Sequence, residues 1–289
     1  MSAVPTGELV AAARAAGRGV AAFNVITLEH AEAIAAGAER AGLPVILQIS
    51  ENTVTFHGGR VAPLAAAAGR IAADAAVDIA LHLDHVESAE LLRQAPEHGF
   101  DSVMFDASRL PYAQNVSATR AAAEFAHAHG LWLESELGTV GGKDGAAPLP
   151  PHAPGARTEP AQAAAYVAAT GVDALAVAVG STHAMTTRDA SLDLVLVAEL
   201  RSAVDIPLVL HGSSGVPDEQ LRAAVDAGIV KVNIGTALNI AATAAVRDIL
   251  AADANVVDPR RYLVPARDAI AAAVAHFLMV LAVADPEVV

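Results

Sequence analysis

The sequence predicts one (β/α)₈ barrel, the TIM-barrel architecture, with a long lid loop after the fifth strand and an extra C-terminal helix. Three observations carry this. Short apolar runs alternate with alanine-rich helical segments, the order that a parallel sheet with crossover helices requires. Eight such runs fit into 289 residues, the size of a single barrel. Polar residues collect at the carboxyl end of every run, the face on which a barrel carries its site. A doubly wound open sheet uses the same alternation, but no linker divides the chain, and residues 1–289 are read as one domain.

The predicted strands, in order, are VAAFNV (20–25), PVILQIS (44–50), DIALHLDH (78–85), FDSVMFDA (100–107), LWLESEL (131–137), ALAVAVGS (174–181), IPLVLHG (206–212) and IVKVNIG (229–235). Between the first two, TLEHAEAIAAGAERAG reads as a helix capped by Thr27 and ended by Gly42 in a left-handed turn. SAELLRQAPEHG, NVSATRAAAEFAHAHG and VPDEQLRAAVDAG also end at a glycine. Residues 138–160, rich in glycine and proline, are too long for an ordinary βα loop. They follow Glu134 and Glu136 directly, which predicts an active-site lid.

The formal charge of −14 disfavours nucleic acid and anionic membrane surfaces, which it repels at long range. A small anion is not excluded, because backbone N–H groups and a metal can hold it locally. With no cysteine, any metal must be held by His, Asp, Glu or carbonyl oxygen. The N-terminal stretch lacks a basic segment followed by an apolar core, so a cytoplasmic enzyme is expected. The apolar run 269–284 is short, alanine-rich and interrupted by His276, and it reads as a buried or interface helix rather than a membrane span.

At the strand ends stand Asn24, Ser50, Asp84, His85, Asp106, Glu134, Glu136, His183, His211 and Asn233. His85, His183 and His211 end the third, sixth and seventh strands. Three imidazoles converging on one barrel mouth make a catalytic metal site with an open position. His82 alternates with Leu81 and Leu83 inside its strand and is given a structural role. Asp84, beside His85, is placed to exchange a proton with a substrate hydroxyl next to a metal. Ser88 can cap the following helix, which frees Asp84 from that duty. HGSSGV (211–216) and NIGTAL (233–238) follow strands seven and eight, where barrels often bind phosphate on glycine-rich turns and helix amino termini.

With FNV, HLDH, SVMFDAS, ESELGTVGG, GSTH, PLVLHGSSG, KVNIGT and DPRRYLVPARDAI in this order across nearly the whole chain, the sequence resembles the class II, metal-dependent ketose-bisphosphate aldolases. The resemblance implies a homodimeric or homotetrameric TIM barrel holding zinc on His85, His183 and His211, with a monovalent cation as a further candidate. Cobalt, manganese and iron accept the same nitrogen ligands. It implies reversible cleavage of a phosphorylated ketose, foremost fructose 1,6-bisphosphate, into dihydroxyacetone phosphate and glyceraldehyde 3-phosphate. Asp84 would move the C4 hydroxyl proton, Asn233 would orient the enediolate, and the metal would polarise the C2 carbonyl. Gly212, Ser213, Ser214, Gly235 and Thr236 would hold phosphate, with Asn24 and Ser50 also touching substrate. Asp106 and Glu136 match positions near a secondary metal site.

The chain also departs from the family pattern. Ala184 stands where glycine usually follows the second zinc histidine, and Arg188 is the nearest counterpart of a lysine that many members place a few residues on. Asp144 replaces the glutamate of the lid motif GGxED, and Gly235 stands where many sugar-bisphosphate members carry an acidic residue. Tagatose 1,6-bisphosphate or a phosphorylated deoxy-keto-gluconate is therefore an alternative substrate. A non-catalytic sugar-phosphate-binding subunit has no need of Asp84 and three histidines. A metal-dependent hydrolase barrel would present two histidines at spacing two on one strand, where this chain has His82 and Asp84.

Overall fold

The computed structural model describes residues 4–138, 140–141 and 156–282. Eight parallel strands form a closed barrel in sequence order: β1 Val20–Asn24, β2 Val45–Ser50, β3 Ile79–Val86, β4 Ser102–Phe105, β5 Trp132–Leu137, β6 Ala174–Val177, β7 Leu208–Leu210 and β8 Ile229–Ile234. Closure comes from β1 pairing with β8, Val20 opposite Lys231 and Phe23 opposite Ile234. This excludes the open sheet.

Helix α1 Thr6–Ala15 lies under the barrel, and the others cover the outside, alanine-rich as the sequence reading expects: α2 Leu28–Ala41, α3 Glu51–Phe56, α4 Ala62–Asp74, α5 Ala89–Gln94, α6 Tyr112–Ala128, α7 Pro160–Thr170, α8 Leu194–Ala203, α9 Asp218–Ala227, α10 Thr236–Ala252 and α11 Arg260–Ala282. Gly42 ends α2 at φ 65°, and the Ser88 hydroxyl accepts the Leu91 N–H at the start of α5. Thr27 occupies the cap position of α2, yet its hydroxyl bonds His30 Nδ1 at 3.1 Å instead of a backbone N–H. Helix α5 stops at Gln94 because Pro96 cannot continue it, and a 3₁₀ turn, Pro96–His98, carries the chain to Gly99.

Several predicted strands outrun the observed ladders, most clearly residues 174–181 and 206–212 against Ala174–Val177 and Leu208–Leu210. Ala178 and Val179 are buried beyond the last ladder residue, so an apolar run marks burial and not the extent of hydrogen bonding. Of the long loop, the described end returns to the sheet: Thr158 donates its hydroxyl to Leu137 O, and its N–H to Ala178 O at 3.0 Å. The lid itself, with Lys143 and Asp144, falls in residues outside those described.

Along each strand, alternate residues face the helices and the barrel axis. The outward set, Phe23, Leu47, Leu81, Leu133, Leu175 and Ile234 among them, belongs to the main core under the helices. The lower interior is apolar and small: Val20, Ala22, Ile46, Ala80 and Val230 meet Leu9, Val10 and Ala13 of α1, which plugs the base. Above that layer the interior turns polar, with Gln48, His82, Ser102, Glu134 and Lys231 all buried. At the carboxyl mouth the described residues leave a cavity.

Helix α11 runs longer than the apolar segment seen in the sequence. It packs across α2 and α10 and buries Ile270, Val274, Phe277, Leu278 and Leu281, and the Phe277 ring lies 6.5 Å from that of Phe23. Gly37 of α2 permits this close approach, because a Cβ there would sit 2.6 Å from Ala271 O and 2.7 Å from Val274 Cβ. Gly37→Ala is therefore expected to destabilise the fold by about 1–3 kcal/mol through overpacking, despite the better helix propensity of alanine. Urea denaturation checks this; an unchanged or raised midpoint would contradict the packing.

Candidate active site

Strand β3 delivers two neighbouring side chains, Asp84 and His85, to the same mouth, which regular alternation forbids. A β-bulge resolves this. From Leu83 to Val86 the strand advances three positions while β4 advances two, from Val103 to Phe105. His85 is the extra residue and takes φ 49°, a left-handed conformation that is costly for a residue with a Cβ. The bulge turns the imidazole inward and returns Val86 to the outer core.

There His85 meets His183 and His211. Ring centroids lie 5.1 Å apart for His85 and His183, 4.8 Å for His85 and His211, and 5.8 Å for His183 and His211. One nitrogen from each falls within 4.8 Å of the others. A second group, His85, Asp106 and Glu136, satisfies the same spacing. Three nitrogens with room for a fourth ligand suit a divalent ion of the zinc type. The surroundings fit as well, since carboxylates fix the outer nitrogens: Asp106 Oδ2 lies 3.0 Å from His85 Nδ1, and Glu134 Oε1 lies 2.9 Å from His211 Nε2. Asp106 is in turn held by the Ser108 hydroxyl and N–H.

His211 is gripped at both ends, because Glu136 Oε2 lies 3.1 Å from Nδ1. Burial alone would lower its pKa, but hydrogen bonds and charge from Glu134 and Glu136 overcome this and lift it to about 10. Burial likewise opposes ionisation of Glu134, yet Lys231 and His211 hold it well below the usual range. The same opposition resolves the same way at Asp84, where the neighbouring histidines and Lys231 lower the pKa. His82 goes the other way: burial, then Lys231, push it down to about 3. It is neutral, its Nδ1 lies 2.8 Å from Ser102 Oγ, and that hydroxyl donates onward to Thr6 Oγ1 at 2.6 Å. His82 is thus a structural residue under the site.

The mouth opens into a cavity of ≈ 220 Å³ lined by Asn24, Ser50, Asp84, His85, His183, Gly212, Ser214, Asn233, Gly235 and Thr236, together with Gln48, Asn52, Ala184 and Asn239. On one wall the amino terminus of α10 meets the 3₁₀ turn Ser213–Gly215, with Ala237 N–H donating to Ser214 Oγ. A helix start beside a glycine turn attracts an anion. Gly212 is required by two constraints: φ 66°, and a Cβ would meet the Thr182 carbonyl carbon at 2.5 Å. The Ser213 side chain is fully buried and gives its hydroxyl to Asn233 O, which leaves its backbone N–H as the group that could meet a phosphate. Arg188 also lies off the cavity, bound to Val216 O and Asp218 and stacked over Phe277.

Two buried residues escaped the sequence reading. Gln48 donates to Asn24 Oδ1 at 2.6 Å. Lys231 donates to Glu134 Oε2 and to Asn233 Oδ1, each at 2.8 Å. Their only signal was a polar residue two positions below a mouth residue on the same strand, Gln48 below Ser50 and Lys231 below Asn233.

The class-II fructose-bisphosphate aldolase family model matches residues 4–285. A fructose-bisphosphate aldolase of Geobacillus stearothermophilus is 39% identical over 279 residues, 95% of each chain. One from Staphylococcus aureus is 36% identical over 277 residues, 93% of this chain and 94% of that one. Among solved structures, the YdjI aldolase from Escherichia coli K12 superposes with a TM-score of 0.83 at 30% identity, covering 99% of both chains. Fold, site and similarity together define an aldolase, a carbon–carbon lyase of the generally metal-dependent kind. The chain belongs to the class II fructose-bisphosphate aldolase family.

Two expectations follow from the site. His211 is protonated in the metal-free protein up to a pKa of about 10, and a ligating imidazole must be neutral. A raised folded pKa contributes stability that is full below pH about 6.5 and is lost as pH rises through the folded value. Metal uptake at pH 8 should therefore release about one proton, with affinity rising as pH rises; calorimetry in buffers of different ionisation enthalpy reads this, and zero protons released would contradict the assignment. Ala184, at φ 58°, carries the left-handed strain that glycine would relieve. Ala184→Gly should leave stability unchanged or raise it by up to about 1 kcal/mol, whereas a clear loss in thermal denaturation would count against strain there.

Proposed function

We propose that this enzyme catalyses the reversible, zinc-dependent aldol cleavage of fructose 1,6-bisphosphate to dihydroxyacetone phosphate and glyceraldehyde 3-phosphate. The observation that carries this reading is Asp84. Its Oδ2 is buried with no hydrogen-bond partner, 3.9 Å from His85 Nε2, in a cavity that the amino terminus of α10 also lines.

His85, His183 and His211 would hold the ion, with His85, Asp106 and Glu136 as a second position. When bound, the metal supplies Lewis acidity to the ketose C2 carbonyl. Glu134, locked by Lys231, holds His211 Nε2, and Glu136 would release Nδ1 were that nitrogen to bind the ion. Gly212, Ser214, Gly235 and Thr236 hold the C1 phosphate on the α10 terminus, which fixes the chain of the sugar across the mouth. Asp84 accepts the C4 hydroxyl proton as the C4 carbonyl forms; the C3–C4 bond breaks, its electron pair stays with the C2–C3 unit, and the aldehyde leaves. Asn233 Nδ2, 3.5 Å from Asp84 Oδ1, donates to the oxygen that gains charge. Asp144 is assigned the return of a proton to C3. Asn24 and Ser50 face the aldehyde half.

A second substrate reading rests on Gly235, where a Cβ would lie 3.0 Å from the Asn24 carboxamide. The small residue shapes the wall beside Asn24 and suits an altered aldehyde half, as in tagatose 1,6-bisphosphate or a phosphorylated deoxy-keto-gluconate. Comparison of kcat/KM across these substrates decides between them.

Coupled detection of dihydroxyacetone phosphate from fructose 1,6-bisphosphate is expected to show turnover that EDTA abolishes and zinc restores. Asp84→Ala should lower kcat by about 10²–10⁴-fold, the range for loss of a general acid–base group, with zinc still bound. A zinc-loaded protein inactive on every ketose phosphate tried would overturn the proposal.

A further inference from the structure

Lys231 is fully buried inside the barrel, an arrangement that proteins tolerate only for a paired charge. Its pairing with Glu134 satisfies that requirement. The second hydrogen bond, to Asn233 Oδ1 at 2.8 Å, is not needed to neutralise either charge. It has a directional consequence.

A carboxamide in a polar pocket can usually be reversed, its oxygen and nitrogen exchanging places at little cost. An ammonium offers donors and no acceptor. With Lys231 beneath it, Asn233 can present only its oxygen downward, so its NH₂ group faces upward, towards Asp84 Oδ1 and the cavity that Asn233 lines. Gln48 makes a comparable contact beside Asn24, its partner across the β1–β2 ladder, but two amides can reverse together, so that pair does not fix an orientation. Strand geometry makes the Lys231 contact possible: residues 231 and 233 are two apart on β8 and share the inner face.

From this geometry we infer that Lys231 is a positioning residue for the reaction proposed above: it locks the Asn233 amide with its donor towards the substrate oxygen that gains charge. Glu134 anchors the ammonium from the other side and relays the same order to His211. One cation below the floor therefore sets the direction of a hydrogen-bond donor in the mouth.

The test is a mutant cycle on the metal-loaded enzyme, with a spectroscopic readout independent of turnover. Lys231→Met is expected to lower kcat about 10–100-fold while KM stays within threefold. In an Asn233→Ala background the same change should cost less than threefold further. In protein labelled with ¹⁵N-asparagine, the side-chain NH₂ signals of Asn233, identified by their loss in Asn233→Ala, should shift or broaden in Lys231→Met. Should that variant fail to fold, Lys231→Arg keeps a cation beside Glu134 but spreads its donors over a plane, and the same losses are expected with the melting temperature retained. Unmoved Asn233 signals would overturn the inference whether or not the enzyme turns over. Equal kcat losses in both backgrounds would also overturn it, leaving Lys231 a purely structural charge. A wild-type enzyme without aldol activity defeats the proposed reaction instead, and the amide signals still decide the orientation.

Discussion

Everything in this protein depends on closing eight parallel strands into a ring. Each strand then has two buried faces, one under the helices and one around the axis, and the inner face has room for little. Small residues fill its base, Ala22 and Ala80 beside Val20 and Ile46. Higher up, the same inner positions carry Gln48, His82, Glu134 and Lys231. Charges so deep survive because they neutralise one another across the barrel; Lys231 and Glu134, on β8 and β5, are far apart in sequence and 2.8 Å apart in space. The catalytic mouth is the top of this stack, where Asn233 rests on Lys231 one layer down.

The site also draws on backbone strain. Among the described residues, only His85 and Ala184 have positive φ without being glycine, and both lie at the cavity. Such outliers persist where surrounding structure over-determines them. At His85 the bulge is flanked by paired strands on both sides. At Ala184 the preceding histidine is tied through its N–H to Gly141 O, and the loop presses on Gly212.

Much of this was legible in the sequence. The barrel followed from eight apolar runs and their polar ends, and the three histidines with Asp84 were recognisable because strand ends in such a fold converge. What was not legible depended on geometry that no local pattern records. The bulge leaves no composition signal: HLDH reads as plain alternation, which would have sent His85 and Asp84 to opposite faces. Lys231 reads as an ordinary polar residue in a strand, since its partners lie across the ring on β5 and two residues further along β8. Helix α1 was not read as an element, because nothing in a short amphipathic segment ahead of the first strand says that it will turn under the barrel. Ser213 looked like its neighbour Ser214, and only the fold shows that one hydroxyl serves the strand while the other meets α10.

That plug at the base has a consequence for traffic. Leu9, Val10 and Ala13 fill the lower end, and the polar column from His82 through Ser102 reaches the fully buried Thr6 hydroxyl and, through it, the Asp101 carboxylate at the base. A bulky solute therefore enters at the carboxyl mouth, where the described cavity opens. A molecule held in that mouth would lie over the buried Asp84 carboxylate and stand between it and the medium.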